Sequence, residues 1–141
     1  MTTQTQGHRF QISITQLAQL FMIPFGVTRA RAYARLQDGD LRLRFGPMFD
    51  ERIALENIGS AEIARWPRWA GLGPRTNFRG SIGLVGAYGD VVKLTLKEPV
   101  GAHLFVVPVS CSRLYLSLEH PEAFLKEIST AKAAHHAAKA A

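Results

Sequence analysis

Cysteine is nearly absent from this sequence: Cys111 stands alone in 141 residues, which excludes a framework of intrachain disulfides. A lone thiol favours a reducing compartment, though weakly, since many secreted proteins also lack disulfides. Long apolar runs are missing too. The most apolar segment, Leu17 to Val27, is broken by Gln19, Pro24 and Gly26 and falls short of the roughly 20 residues a spanning helix needs. The first ten residues are polar and lead into no cleavage pattern, so no secretory signal is expected. The expected setting is cytoplasmic, or peripheral at the inner face of the membrane. Acidic residues are scarce, 11 against 17 Lys and Arg, for a net charge of +6. That balance suits an anionic partner, a nucleic acid or an acidic membrane surface, although charge kept for solubility explains it as well.

Catalytic signatures are also lacking. No Gly-x-Ser-x-Gly, Walker loop or dinucleotide fingerprint occurs. The aspartates are Asp38, Asp40, Asp50 and Asp90, and most fall where turns are expected. Gly71 and Gly73 precede no helical pattern, so they make no phosphate cradle. His135 and His136 are adjacent, whereas helical chelation needs positions three or four apart. His103 and His120 border turns, and Cys111 between two serines reads as a buried, inert thiol. The expectation is therefore no enzyme, no cofactor and no metal.

What the sequence has is alternation. Phe10, Ile12 and Ile14 suggest a first strand, and Leu17, Leu20 and Phe21 a short helix ended by Pro24 and Gly26. Ala30, Ala32, Ala34 and Leu36 alternate with Arg31, Tyr33, Arg35 and Gln37. After Asp38-Gly39 the pattern resumes with Leu41, Leu43 and Phe45 against Arg42 and Arg44. Asp-Gly between alternating runs predicts a two-residue hairpin, which sets Leu36 opposite Leu41, Ala34 opposite Leu43 and Ala32 opposite Phe45. Gly46-Pro47 stops that strand. Ile53 and Leu55 alternate with Arg52 and Glu56 in a third strand of the sheet, and Ala61, Ile63 and Arg65 begin another. Beyond the loop Trp66 to Gly80, Ile82 and Leu84 lead through a turn at Ala87 to Asp90 into Val92, Leu94 and Leu96. Phe105 to Val109 is a dense apolar run, and Leu114, Leu116 and Leu118 alternate with Tyr115 and Ser117. Pro121 suits a first helical position with Glu122 in the first turn, and Phe124, Leu125 and Ile128 form one apolar stripe.

The fold class predicted is mainly β, a bent antiparallel barrel or sandwich capped by one C-terminal helix. Residues 1–8 are expected to be disordered, 9–130 to form the β domain with its closing helix over 121–130, and 131–141 to be an Ala-rich helical tail that frays. Five segments carry a resemblance: Leu41 to Pro47, Ile53 to Ile58, Pro67 to Gly73, Leu96 to Val100 and Leu114 to Glu122. Their order and spacing resemble a family of uncharacterised bacterial, largely actinobacterial, proteins with a pleckstrin-homology-like domain, over about Phe25 to Ile128. The resemblance implies that fold and transfers no catalytic residue. Pleckstrin-homology domains that bind phosphoinositides use a basic loop in the first hairpin, and the loop here, Gln37-Asp38-Gly39-Asp40, is short and acidic.

Two constellations stand out. The loop Arg65 to Arg79 interleaves aromatic and basic residues, of which Trp66, Arg68, Trp69, Arg75 and Arg79 form the primary candidate site. Tryptophan beside arginine suits an interfacial contact with a membrane, or a protein partner. The plain alternative folds both tryptophans back onto the domain. The second constellation is the hairpin's outer face, with Arg35 opposite Arg42, Tyr33 opposite Arg44 as a cation–π pair, and Arg31 nearby. Like charges directly opposite are destabilising, so Glu56 and Glu62 on the next strands are expected to offset them in an ordinary charge ladder. The function expected is a non-catalytic adaptor contacting an acidic membrane surface or protein partner through the Trp/Arg loop. The alternatives are a basic nucleic-acid-binding protein, disfavoured for want of a recognition helix or stacking platform, and a carrier of an apolar ligand inside the barrel.

Overall fold

A computed structural model describes residues 8–16, 31–37, 39–66, 73–76, 80–87, 89–104 and 106–140. The helix expected at Leu17 to Phe21 lies outside the described residues, as does the disorder expected over 1–8 except at His8, where a strand begins. Among the described residues there are nine strands: β1 His8–Gln11, β2 Ala32–Gln37, β3 Asp40–Phe45, β4 Phe49–Ala54, β5 Ile58–Trp66, β6 Gly73–Thr76, β7 Gly80–Val85, β8 Gly89–Leu104 and β9 Val107–Leu116. A C-terminal helix, α1, runs over Pro121–Ala140. The strands make a four-stranded sheet in the order β1-β2-β3-β4 and a five-stranded sheet in the order β5-β8-β9-β7-β6. The protein is thus mainly β with two sheets and one C-terminal helix, and the sheets do not close into a barrel.

The hairpin register follows the sequence pattern. Leu36 faces Leu41, Ala34 faces Leu43 and Ala32 faces Phe45, so small residues sit opposite large ones on the buried side. Gly39 takes a φ of 81°, the left-handed value that a two-residue loop demands and that glycine adopts without a Cβ clash. Phe49 and Ile53 of β4 continue the buried side, and all these apolar residues belong to one cluster with Ile58, Leu94, Leu114 and Phe124. Burying each large apolar side chain stabilises the fold by roughly 1.5–3 kcal/mol relative to leaving it exposed.

Four expectations change. Leu55 is buried, but in a single 3-10 turn over Leu55–Asn57 and not in the third strand. The antiparallel arrangement is not uniform: β9 lies between β7 and β8 and pairs with β7 in parallel, so the turn after β7 does not close a hairpin. Ile63 lies on β5, an outer strand of its sheet, and is 37% exposed. In the apolar run expected at 105–109, Val106 lies at the tip of the β8–β9 hairpin and is 88% exposed, and Val107 in β9 faces Leu104. Alternation reports which residues share a face, and it is blind to whether a second layer covers that face.

Isolated bridges join the two sheets at one corner. Ile12 bridges to Leu118 and Ile14 to Gly86, so the chain after β1 is inserted between the ends of β7 and β9. Ser117, only 2% exposed, accepts a hydrogen bond from the Gly86 N–H through its hydroxyl oxygen (2.8 Å) and donates to the Ser13 carbonyl (2.9 Å). A buried hydroxyl is tolerated there because both capacities are used. Helix α1 docks by Phe124 and Ile128, both buried, with Phe124 edge-on to Phe10 at 5.0 Å between centroids. Lys132 donates to the Ile58 carbonyl, tying the helix to the start of β5. Among the described residues no helix is long and apolar enough to cross a membrane.

Candidate functional site: an arginine face on the four-stranded sheet

Because successive residues of a strand point to opposite faces, burying Ala34, Leu36, Leu41, Leu43 and Ile53 forces their neighbours outward. The register then aligns those neighbours across the sheet. Arg9 lies opposite Arg35, Arg35 opposite Arg42, and Arg42 opposite Arg52, one arginine from each of the four strands in a single row. At the usual spacing between strands the row spans about 14 Å. The next row is Gln11, Tyr33, Arg44 and Asp50, and on the other side Gln37, Asp40 and Ala54 line up. Five arginines and two aspartates therefore share this face. Arg31, exposed just before β2, stands at its margin.

The charges are only partly compensated. Arg42 makes a bidentate pair with Asp50, Nε to Oδ1 at 3.1 Å and Nη2 to Oδ2 at 3.0 Å. The hydrogen bond from Arg42 holds the Asp50 carboxyl below its ordinary range and raises Arg42 in return. Tyr33 is buried beneath two guanidiniums, Arg9 at 4.7 Å and Arg35 at 5.2 Å from the ring centroid. The expected Tyr33–Arg44 stack is thus replaced by one with Arg9 and Arg35. The Nε atoms of Arg35 and Arg44 are buried without a hydrogen-bond partner among the described residues. Arg52 is exposed. Arg35, Gln37, Asp40, Arg42 and Arg52 together line a pocket of about 130 Å³.

The carboxylates expected to balance this face do not reach it. Glu56 lies in the 3-10 turn, and Glu62 lies on the other sheet, opposite Lys93. Asp50 takes their place, in a strand and not in a turn. Its signal was available, since Asp50 and Arg52 share the outward parity of the third strand. Arg9 is a different case: residues 12–31 lie between β1 and β2, and no local pattern announces the pairing of those strands.

The Trp/Arg loop is placed only in part. Trp66 ends β5 and is half-buried, its ring 5.4 Å from that of Tyr115. It covers Gly83 so closely that a methyl group there would come within 2.6 Å of Trp66 Cη2, so glycine is required for the indole to lie down. Arg75 falls in β6, opposite Gly83. Arg68, Trp69 and Arg79 lie outside the described residues. Trp66 is therefore seated on the five-stranded sheet, and the structure does not bring it together with the arginine row.

Two further expectations concern chemistry. Among the described residues no three His, Cys, Asp or Glu side chains gather where they could hold a metal ion. Cys111 is buried, and loss of solvation pushes its thiol up to about 11, which leaves little thiolate at neutral pH. No family model, curated protein or solved structure matches this chain.

Proposed function

We propose that this chain is a non-catalytic binding module, pleckstrin-homology-like in fold, that docks on an anionic membrane surface through the arginine face of its four-stranded sheet. The observation that carries the reading is the row Arg9–Arg35–Arg42–Arg52, which aligns one arginine from each strand on the outward face, with Asp50 paired to Arg42. Like charges directly opposite cost stability, up to about 1 kcal/mol per pair, and an external anion removes that cost. Guanidinium is the cation best matched to phosphate oxygens, through two parallel hydrogen bonds. A broad sheet face suits a planar layer of headgroups. Base stacking is poorly served, since Tyr33, the aromatic residue on this face, is already covered by two guanidiniums. The Trp/Arg loop, with Trp66, Arg68, Trp69, Arg75 and Arg79, is a second contact in this reading.

Co-sedimentation with vesicles tests it. The protein is expected to pellet with phosphatidylserine vesicles, to stay behind with phosphatidylcholine vesicles, and to be released by salt. Each basic residue near such a surface contributes about 1 kcal/mol, so an Arg35→Gln/Arg52→Gln variant should lose roughly 10- to 30-fold in affinity. Equal pelleting by that variant and the wild type removes the arginine face from the account.

A further inference from the structure

Asp40 is out of character with its surroundings. It lies in the row next to Arg35, Arg42 and Arg52, on the same side of the sheet, and lines the same pocket as all three. A patch built only to attract negative charge gains nothing from a carboxylate beside its arginines. Asp50 already serves Arg42, so Asp40 is not needed to hold that arginine. The pocket of about 130 Å³ is lined by three guanidiniums, one amide and one carboxylate, a donor-rich seat of the kind a small oxyanion needs.

We infer that this pocket seats a single phosphoryl group, with Arg35, Arg42 and Arg52 donating to its oxygens and Asp40 accepting a hydrogen bond from its P–OH. An ionised carboxylate can only accept, so it repels an oxyanion with no proton to give and welcomes one that keeps a hydroxyl. Gln37, with both a donor and an acceptor, completes the lining. The chemical class selected is a phosphate or phosphate monoester carrying one proton. Sulfate, fully ionised at neutrality, is excluded although it carries the greater charge. The inference rests on the arginine-face reading for the sign of the ligand and adds its identity. The charged groups that face the seat are Asp40, Arg35, Arg42 and Arg52, with Asp50 behind Arg42. All are carboxylates and guanidiniums, so the proton that matters is the ligand's.

The experiment is calorimetric titration of the intact chain with inorganic phosphate and with sulfate in a chloride buffer slightly below neutral pH. Phosphate is expected to bind at least about 10-fold more tightly than sulfate on both sides of neutral pH, since hydrogen phosphate keeps a P–OH there, whereas methyl phosphate, titrated alongside as a monoester probe, is expected to weaken as pH rises and its last proton is lost. Asp40→Asn should abolish the preference by admitting sulfate, and Arg52→Gln should weaken both anions. Sulfate binding as tightly as phosphate, or a preference unchanged in Asp40→Asn, overturns the seat. Should that variant fail to fold, the pH dependence on wild-type protein decides: methyl phosphate binding that does not weaken as pH rises through neutrality overturns the seat equally. Vesicles of matched surface charge then separate the sources. Phosphatidic acid, a monoester, preferred over phosphatidylserine, a diester, supports the seat at a membrane. Phosphate binding with no vesicle binding supports the seat for the free anion and ends the membrane reading. Equal binding to both lipids with no preference for phosphate over sulfate overturns the seat and leaves the arginine face standing.

Discussion

The outer faces of the two sheets handle charge in opposite ways. On the outer face of the five-stranded sheet Glu62 lies opposite Lys93, so this charge has its complement across the strand. On the four-stranded sheet the same kind of lateral row runs arginine to arginine from edge to edge, with Asp50 paired to Arg42. Both sheets bury their other side in one common apolar cluster, so the contrast does not come from the core. A surface arranged for stability alone looks like the five-stranded face. The four-stranded face retains electrostatic tension, and groups at binding sites commonly do so at the expense of stability.

The comparison can be broken or sharpened by substitution, beginning with the largest effect. Phe124→Ala removes the anchor of α1, which spans both sheets through Phe10 and the core. It should destabilise by about 3–5 kcal/mol in denaturant unfolding, in a single transition if the sheets fold together. Separate transitions would show that the two faces belong to independent units. Gly83→Ala presses a methyl into the Trp66 ring and should cost roughly 1–3 kcal/mol while leaving vesicle binding intact. A loss of binding instead would assign the partner to the five-stranded face. Ser117→Ala strands the Gly86 N–H and the Ser13 carbonyl at the corner and should also cost about 1–3 kcal/mol by the same assay.

Smaller effects separate the charges themselves. Asp50→Asn should cost about 0.5–1 kcal/mol at neutral pH, since the pair is partly exposed and screened by solvent. Its sign with pH follows from the lowered Asp50 value. The stabilisation is complete above the ordinary carboxylate range and is lost as pH falls through the folded value, so wild type and variant should begin to converge in thermal melts only as pH falls below about 4. Smallest is Arg52→Glu, which gives the four-stranded row an opposite-charge neighbour. It should raise stability by a few tenths of a kcal/mol and weaken vesicle binding at once. Lower stability from this change would mean that the row is not under tension.

The sequence makes the hairpin fully legible. Asp38-Gly39 sets the loop, the loop sets the register, and the register puts Arg35 opposite Arg42 and Tyr33 opposite Arg44. It makes the fourth and longest-range members of the row less so. Arg52 follows from parity within β4, but Arg9 enters only through the pairing of β1 with β2, which local alternation does not encode. The same limit explains the parallel β7–β9 pair and the exposed hairpin tip at Val106. Period-two patterning fixes a side chain's face and leaves open which strand lies alongside.

Tyr33 has a consequence of its own. Its ring is sandwiched against two cations that are also the groups an incoming anion would recruit. Any ligand that draws Arg9 or Arg35 toward itself uncovers a chromophore in the act, so near-ultraviolet dichroism and ring-proton shifts at this one residue become an internal gauge of occupancy. The molecule carries its own reporter, and no label has to be attached to watch the face fill.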